Sequence, residues 1–334
     1  MNSQIELDKI INLINNNNKF AIFTHESPDG DAIGSSLALY MGLINLNKEV
    51  DIITDKYADC FNFLKETDKI LSQGKKDYDV CIALDCATEK RLYDPTKAFY
   101  KSNYTISIDH HTSNTFYADV NYVEDRSPAT CQTLFKILKR LNINLTKEIA
   151  EAMMMGIITD SGGFRYDTVN DETFEIAAQI FDLGVNISKI YNETFDMQTK
   201  PQFELSKIAT SRLEFKNNDR IAITYITLDD IKETNAKVGD HEGIVNIGRK
   251  VKGVLISIFL RESEKDVYKV SLRSNTDEID VSEIAKIFDG GGHSKAAGFT
   301  VTGTAEEAIK KVLKEIDKTY EWNISSKQRK KLHQ

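Results

Sequence analysis

The sequence predicts an α/β protein: a mainly parallel sheet flanked by helices, joined by a helical linker to a smaller α+β domain. Three features carry this reading. Short apolar runs alternate with helical patterns through the first half of the 334 residues, as in successive βαβ units. A long amphipathic helical stretch follows. Beyond it the pattern changes to strand-like runs with only short helical segments between them.

Taken in order, residues 20–23 form a brief apolar run that reads as a strand, and 33–44 has helical spacing. Runs at 50–53, 80–84 and 104–108 are short and nearly all apolar, as strands covered on both faces of a parallel sheet are. Helical patterns follow at 129–141, 147–158 and 172–183, and Gly184 supplies a stop for the last. The stretch 186–213 stays helical, interrupted by Pro201, and reads as the linker. RIAITYITL, GVLISIFLR and VYKVSLRS then read as strands, VSEIAKIF as a helix, 299–301 as a strand and the segment past Thr304 as a helix. The asparagine run at 15–18 reads as a loop. The expected divisions are therefore 1–185, a linker at 186–213, a second domain at 214–322 and a basic tail at 323–334.

Composition narrows the function classes. The hydrophobic share is 41% and the charged share 28%, ordinary for a soluble globular chain. No apolar run approaches the roughly 18 residues that a membrane span requires, and the opening MNSQIELDKI lacks the features of a secretory signal, so the cytoplasm is the expected location. The formal net charge of −8 disfavours a grip on long duplex nucleic acid, which depends on lysine and arginine displacing counterions. It suits clustered carboxylates holding divalent cations. The basic KQRKKLHQ at the end reads as a solvated tail. Cys60, Cys81, Cys86 and Cys131 include no CxxC pair, which disfavours a zinc ribbon or redox dithiol. Cys81 and Cys86 read as buried small hydrophobes.

The residues that carry chemistry follow apolar elements. In FTHESPDGDAIGSS, His25, Asp29 and Asp31 sit between a strand and a helix, the edge of an open α/β sheet where ligands bind. One imidazole and two carboxylates suit manganese, magnesium or zinc, and Gly30 would let the backbone turn between the two acids. The plainer alternative is that Asp31 only caps the helix. In IALDCA, Asp85 ends an apolar run; it could bridge two cations or simply cap the next turn. In ISIDHHTSN, adjacent side chains on extended backbone point opposite ways, so His110 and His111 share a site only if the chain turns or their roles differ. We assign His110 to a metal, His111 to the substrate phosphate or leaving group, and Asp109 to orienting a histidine; a pair of exposed loop histidines is the alternative. In GIITDSGGFR, Asp160 would be a further metal carboxylate, while Arg165 could meet a phosphate or a surface acid. Unpaired carboxylates gathered in one cleft would repel, and two cations remove that cost while clamping the oxygens of a phosphoryl transfer. FDGGGHSKAAGF offers close backbone approach to an anion through Gly290, Gly291 and Gly292. His293 and Lys295 there, with Arg261 in FLRES and Arg273 in SLRSN, would add donors, although edge-strand solvation also explains the two arginines.

The succession H-x-x-x-D-x-D, LD, DHH, TDSG and GGGHSKAAG resembles the DHH phosphoesterases that carry a C-terminal DHHA1 domain, in particular the bacterial nano-RNase and pAp phosphatase branch. The likeness spans about 5–318. It implies one manganese on His25, Asp29 and Asp85 and a second on Asp31, Asp85, His110 and Asp160, with Asp85 bridging and magnesium as the other candidate ion. It also implies substrate recognition by the second domain through residues 290–293 and nearby arginines. Ser161 stands where relatives often have threonine, and Gln132 where they often have glutamate, which leaves the supporting role of that second position open. The activity implied is hydrolysis of short single-stranded oligoribonucleotides to mononucleotides and of 3′-phosphoadenosine 5′-phosphate to AMP and phosphate. The expected chemistry is in-line attack by an activated water, with the second domain closing over the cleft. Linear dinucleotides such as pApA or pGpG, a single-strand exonuclease activity and a non-catalytic nucleotide-binding module stay open as alternatives. The helical segments are compatible with a homodimer.

Overall fold

The structure, a computed structural model, describes residues 3–75, 77–237 and 239–320. The basic tail expected at 323–334 lies outside them. The chain divides into two compact units, 1–197 and 198–334.

The first unit opens with α1 (Ser3–Asn16), so two of the asparagines read as loop are helical. It continues with β1 (Lys19–Phe23), α2 (Gly30–Asn45), β2 (Glu49–Ile53), β3 (Ile70–Leu71), β4 (Val80–Leu84), β5 (Tyr104–Asp109), β6 (Val120–Val123), α3 (Thr130–Arg140), α4 (Lys147–Asp160), α5 (Asp171–Phe181) and α6 (Ile187–Tyr191). The six strands form one sheet in the order β3-β2-β1-β4-β5-β6, parallel throughout. Side-chain alternation sorts its two faces. Phe20, Ile22, Ile82 and Ile106 join the apolar residues of the helices in one large core. Ala21, Phe23, Cys81 and Ala83 face the other way, against Tyr78, Ala98 and Phe99. The order reverses between β1 and β4, so the loops after these strands diverge and open a crevice at their carboxyl ends.

The expected linker is not one continuous helix. A turn of π-helix (Asn192–Asp196) follows α6, the helix breaks after it, and α7 (Lys200–Ser211) begins with Thr199 in a capping box with Gln202. Pro201 therefore lies in the first turn of α7 rather than interrupting a helix, a position where its missing N–H costs nothing. Leu205 and Ala209 of α7 pack with Ile226 and Phe259 of the second unit.

That unit adds β7 (Glu214–Lys216), β8 (Ile221–Ile226), α8 (Leu228–Thr234), α9 (Val245–Arg249), β9 (Ile256–Glu264), β10 (Val267–Ser274), α10 (Val281–Ile287), β11 (Gly291–His293), β12 (Ala296–Thr302) and α11 (Ala305–Thr319). Its mixed sheet runs β11-β12-β10-β9-β8-β7. One face packs against α10 and α11 through Tyr268, Val270, Leu272, Ile284, Val312 and Ile316. Among the described residues no helix is long and apolar enough to cross a membrane.

Candidate metal centre

The crevice between β1 and β4 gathers all six proposed ligands. His25 lies just past β1, buried, and its backbone pairs with Leu92 in an isolated bridge. Asp29, not Asp31, is the cap of α2: one of its oxygens accepts from the N–H groups of Asp31 and Ala32 at 3.0 and 3.1 Å. Asp31 is fully buried in the first turn of α2 and reaches across to α3. There its carboxylate accepts from the backbone N–H groups of Thr130 and Cys131. The cap residue of α3 is Ala129, which has no side-chain acceptor, so an acid one hundred residues earlier satisfies the open end of that helix.

Asp85 follows β4 in the left-handed region, at φ 55°, and is 2% exposed. Rather than capping its own turn, its carboxylate accepts from the Thr130 hydroxyl at 3.1 Å. Its two oxygens face different histidines, Oδ2 at 3.7 Å from His25 Nε2 and Oδ1 at 3.4 Å from His110 Nε2. Asp29 Oδ2 lies 3.9 Å from His25 Nε2, and Asp160 Oδ2 lies 3.0 Å from His110 Nε2. Both rings are oriented from behind. His25 Nδ1 sits 2.8 Å from the Glu26 carbonyl and His110 Nδ1 3.1 Å from the Ser127 carbonyl. A carbonyl accepts only, so each Nδ1 carries a proton and each Nε2 points at carboxylates, an arrangement metal-ligating histidines favour. His110 Nε2 is buried, and although Asp160 Oδ2 lies 3.0 Å away the angle between them does not make a hydrogen bond. Such an atom is costly unless something cationic completes it. The ligand atoms of His25, Asp29 and Asp85 lie within 4.8 Å of one another, as do those of Asp31, His110 and Asp160. Asp85 also lies within that distance of His110 and His111, so the donor sets fit divalent cations.

His110 and His111 serve one site because the chain turns after β5, bringing the two ring centroids within 4.5 Å. His111 Nδ1 lies 2.7 Å from Asp109 Oδ1, and its nearest approach to Asp85 Oδ1 is 3.7 Å. Its Nδ1 is therefore engaged by Asp109, leaving Nε2 for an incoming group. Asp109 is fully buried and also accepts from Asn114 Nδ2 at 2.6 Å.

Burial and the charges of Asp85 and Asp160 push the Asp31 carboxyl well above the usual range. Burial also works to raise Asp85, but the facing His110 and His25 outweigh it and hold its carboxyl well below that range. Burial alone would lower His25, yet the adjacent Asp85 and Asp29 carboxylates lift it to about 9. At 3.4 to 3.9 Å these His25 and His110 contacts with Asp85 and Asp29 are charge pairings rather than hydrogen bonds. The directions agree on one point: this pocket retains positive charge, as protons when nothing else supplies it.

Several supporting residues escaped the sequence reading. Thr130, Asn114, Ser127 and Arg91 are unremarkable in type; only the alanine at the start of an amphipathic helix hinted that something else caps α3. Gly30 also has a different reason from the expected one. It has no positive φ, and a Cβ there would meet Thr159 Oγ1 at 2.4 Å, so it serves the packing of α2 on α4. Gly156 likewise keeps α4 clear of Asp31 Oδ1, which a Cβ would approach to 2.6 Å. Ser161 spends its hydroxyl in its own turn, accepting from Phe164 N–H at 2.9 Å. Gln132 donates to Glu172 at 3.3 Å. Arg165 is exposed and its Nε donates to the Gly162 carbonyl.

The remaining predicted residues belong to the second unit. Register places Arg261 beside Lys269 and Arg273 beside Ser257, with Phe259 and Ser271 between them, on the sheet face opposite α10 and α11. His241 stacks on Phe259 at 6.4 Å; burial, with Arg261 and Lys269 close by, lowers its pKa to about 4. Arg273 donates to the Leu272 carbonyl. The three glycines are not a free loop: Gly291, Gly292 and His293 form β11, an exposed edge strand paired with β12. Lys295 pairs with Asp277.

Comparison with known proteins adds ancestry to this geometry. The family model described as DHH family, N-terminal domain, matches residues 19–157, and the DHHA1 domain model matches 218–321. A bifunctional oligoribonuclease and PAP phosphatase NrnA from Thermus thermophilus is 32% identical over 301 residues, covering 88% of this chain and 88% of its own. A probable enzyme of the same description from Streptococcus mutans is 26% identical over 85% of this chain and 90% of its own. An exopolyphosphatase-related protein from Bacteroides fragilis superposes with a TM-score of 0.87 at 29% identity, covering 94% of this chain and 96% of that one.

Proposed function

The chain belongs to the DHH family, and from that premise we propose that it is a two-metal phosphoesterase acting on short oligoribonucleotides and on 3′-phosphoadenosine 5′-phosphate. The observation that carries the reading is Asp85, whose two buried oxygens each face the Nε2 of a different histidine that further acids also approach. His25, Asp29 and Asp85 would hold one ion, and Asp31, Asp85, His110 and Asp160 the other, with manganese as the proposed metal. Ions held there would lower the pKa of a water and neutralise charge developing on the phosphoryl oxygens.

The protein's own groups account for the rest. Asp109 fixes the His111 ring through Nδ1, so His111 Nε2 can hold or deliver a proton at the leaving oxygen. Asn114 fixes Asp109 in turn. In the second unit, Arg261, Arg273, His293 and the backbone at Gly291 and Gly292 would bind nucleotide; in the first, Arg165 is the candidate phosphate donor. The relatives named as oligoribonuclease and PAP phosphatase point to the substrate class. The acidic net charge fits short single strands rather than long duplex.

The test is direct. Protein stripped with a chelator and titrated with manganese should release mononucleotides from a diribonucleotide, and AMP with phosphate from 3′-phosphoadenosine 5′-phosphate. Activity should saturate at two equivalents per chain. Protein that binds both equivalents and yields no product would leave a nucleotide-binding module as the better description.

A further inference from the structure

We propose that Arg91 is a substrate-binding residue of the metal centre, holding a second phosphate of the nucleotide beside the one being cleaved. This rests on the phosphoesterase reading above.

The loop that leaves Asp85 runs back to the strand extension carrying His25, and it is laced there by backbone alone. Glu26 N–H donates to the Arg91 carbonyl at 2.7 Å, Tyr93 N–H donates to the Thr24 carbonyl at 2.9 Å, and Leu92 bridges His25. Any residue at position 91 could make the carbonyl bond, so the loop's path does not account for an arginine. Nor does the contact its side chain makes. The guanidinium nitrogen lies 3.3 Å from His25 Nδ1, but that ring nitrogen already donates to the Glu26 carbonyl at 2.8 Å. Two donors facing each other do not bond.

Arg91 is exposed, and among the described residues it pairs with no carboxylate, although Asp29 and Asp85 lie just across the ring. Apart from the Nη2 that faces His25 Nδ1, its donors meet no acceptor among the described residues, at the rim of a pocket built from acids. A planar fork of five N–H groups on an always-charged side chain matches phosphate oxygens. Position selects which phosphate. The carboxylates meet His25 at Nε2, whereas Arg91 borders Nδ1. One imidazole thus separates the guanidinium from the reacting centre, the placement suited to a neighbouring phosphate. Both 3′-phosphoadenosine 5′-phosphate and a 5′-phosphorylated dinucleotide carry one.

Steady-state kinetics on manganese-loaded wild type, Arg91→Gln and Arg91→Lys would decide, using one diribonucleotide with and without a 5′-phosphate. Arg91→Gln should raise KM for the phosphorylated substrate about tenfold, the worth of one exposed charge-assisted contact, and move kcat little. Preference for the 5′-phosphate should collapse, Arg91→Lys should regain part of it, and manganese per chain should stay at the wild-type value. An equal KM rise on both substrates, or a fall in bound manganese, would overturn the assignment and make Arg91 a positioning residue for His25. Manganese-loaded wild type that cleaved neither substrate would overturn the phosphoesterase reading and this inference with it.

Discussion

The two units solve different problems with different means. In the first, His25, Asp31, Asp85 and His110 are withdrawn from solvent, and each is oriented by a specific neighbour: a backbone carbonyl, a helix N-terminus or the Thr130 hydroxyl. In the second, His293 and the glycines of β11 are exposed, and Arg273 turns to its own backbone. Chelation tolerates little displacement, so ligands for the proposed ions would need such bracing in advance. Recognition of a flexible nucleotide can be completed by the ligand itself. The contrast predicts that substitutions in the first unit act on metal and turnover, and those in the second on affinity.

The largest effect should come from Asp85→Asn. Asp85 lies in the ligand group of His25 and Asp29 and also in that of His110 and His111, and kcat should fall by at least about a thousandfold, beyond the loss of a single electrostatic donor. Metal analysis should show fewer than two ions per chain; wild-type turnover would break the comparison at its root. Thr130→Val keeps the shape of its side chain but removes the hydroxyl that Asp85 accepts from. Manganese affinity should drop roughly ten- to a hundredfold, as for other supporting contacts, while kcat recovers at saturating metal. An unchanged manganese titration would mean that the brace is ornamental.

The difference between the units also explains what could be read without coordinates. His25, Asp85 and His110 follow apolar strands, and a parallel sheet sends consecutive strand ends to one edge, so their convergence was legible. Asn114, Ser127 and Thr130 were not, because an ordinary polar residue acquires its role only through tertiary contact. The edge strand β11 was hidden for a related reason: three glycines argue against a strand interior, and only pairing with β12 makes one. Pro201 marks the break only to within a few residues: the chain leaves the helix at Met197 and the proline takes the first turn of α7, a place that suits it.

His241 sharpens the comparison through pH. Its folded pKa of about 4 lies below the ordinary 6.5. Between those values the unfolded chain binds a proton that the folded chain refuses, so stability falls as pH drops through this window and is regained above it. The full swing is worth up to about 3 kcal/mol. Thermal unfolding of the full chain should show this slope, and His241→Gln should flatten it. Binding of AMP should raise the His241 pKa in NMR titrations if an anion settles near Arg261 and Lys269; an unmoved pKa would place the nucleotide elsewhere.

The smallest effect separates two adjacent glycines. Gly292 has φ +141°, and a Cβ there would meet the Ala296 carbonyl at 2.4 Å, so Gly292→Ala should cost about 1–3 kcal/mol through strain. A Cβ on Gly291 would meet nothing within 4 Å, so Gly291→Ala should stay within about 0.5 kcal/mol of wild type. The fold thus explains one glycine and leaves the other to the ligand. If nucleotide backbone passes close to Gly291, its alanine variant should keep its melting temperature and lose a few-fold in KM, with kcat unchanged. Should KM also stay put, β11 would be a structural hairpin, and recognition in this unit would rest on Arg261 and Arg273 alone.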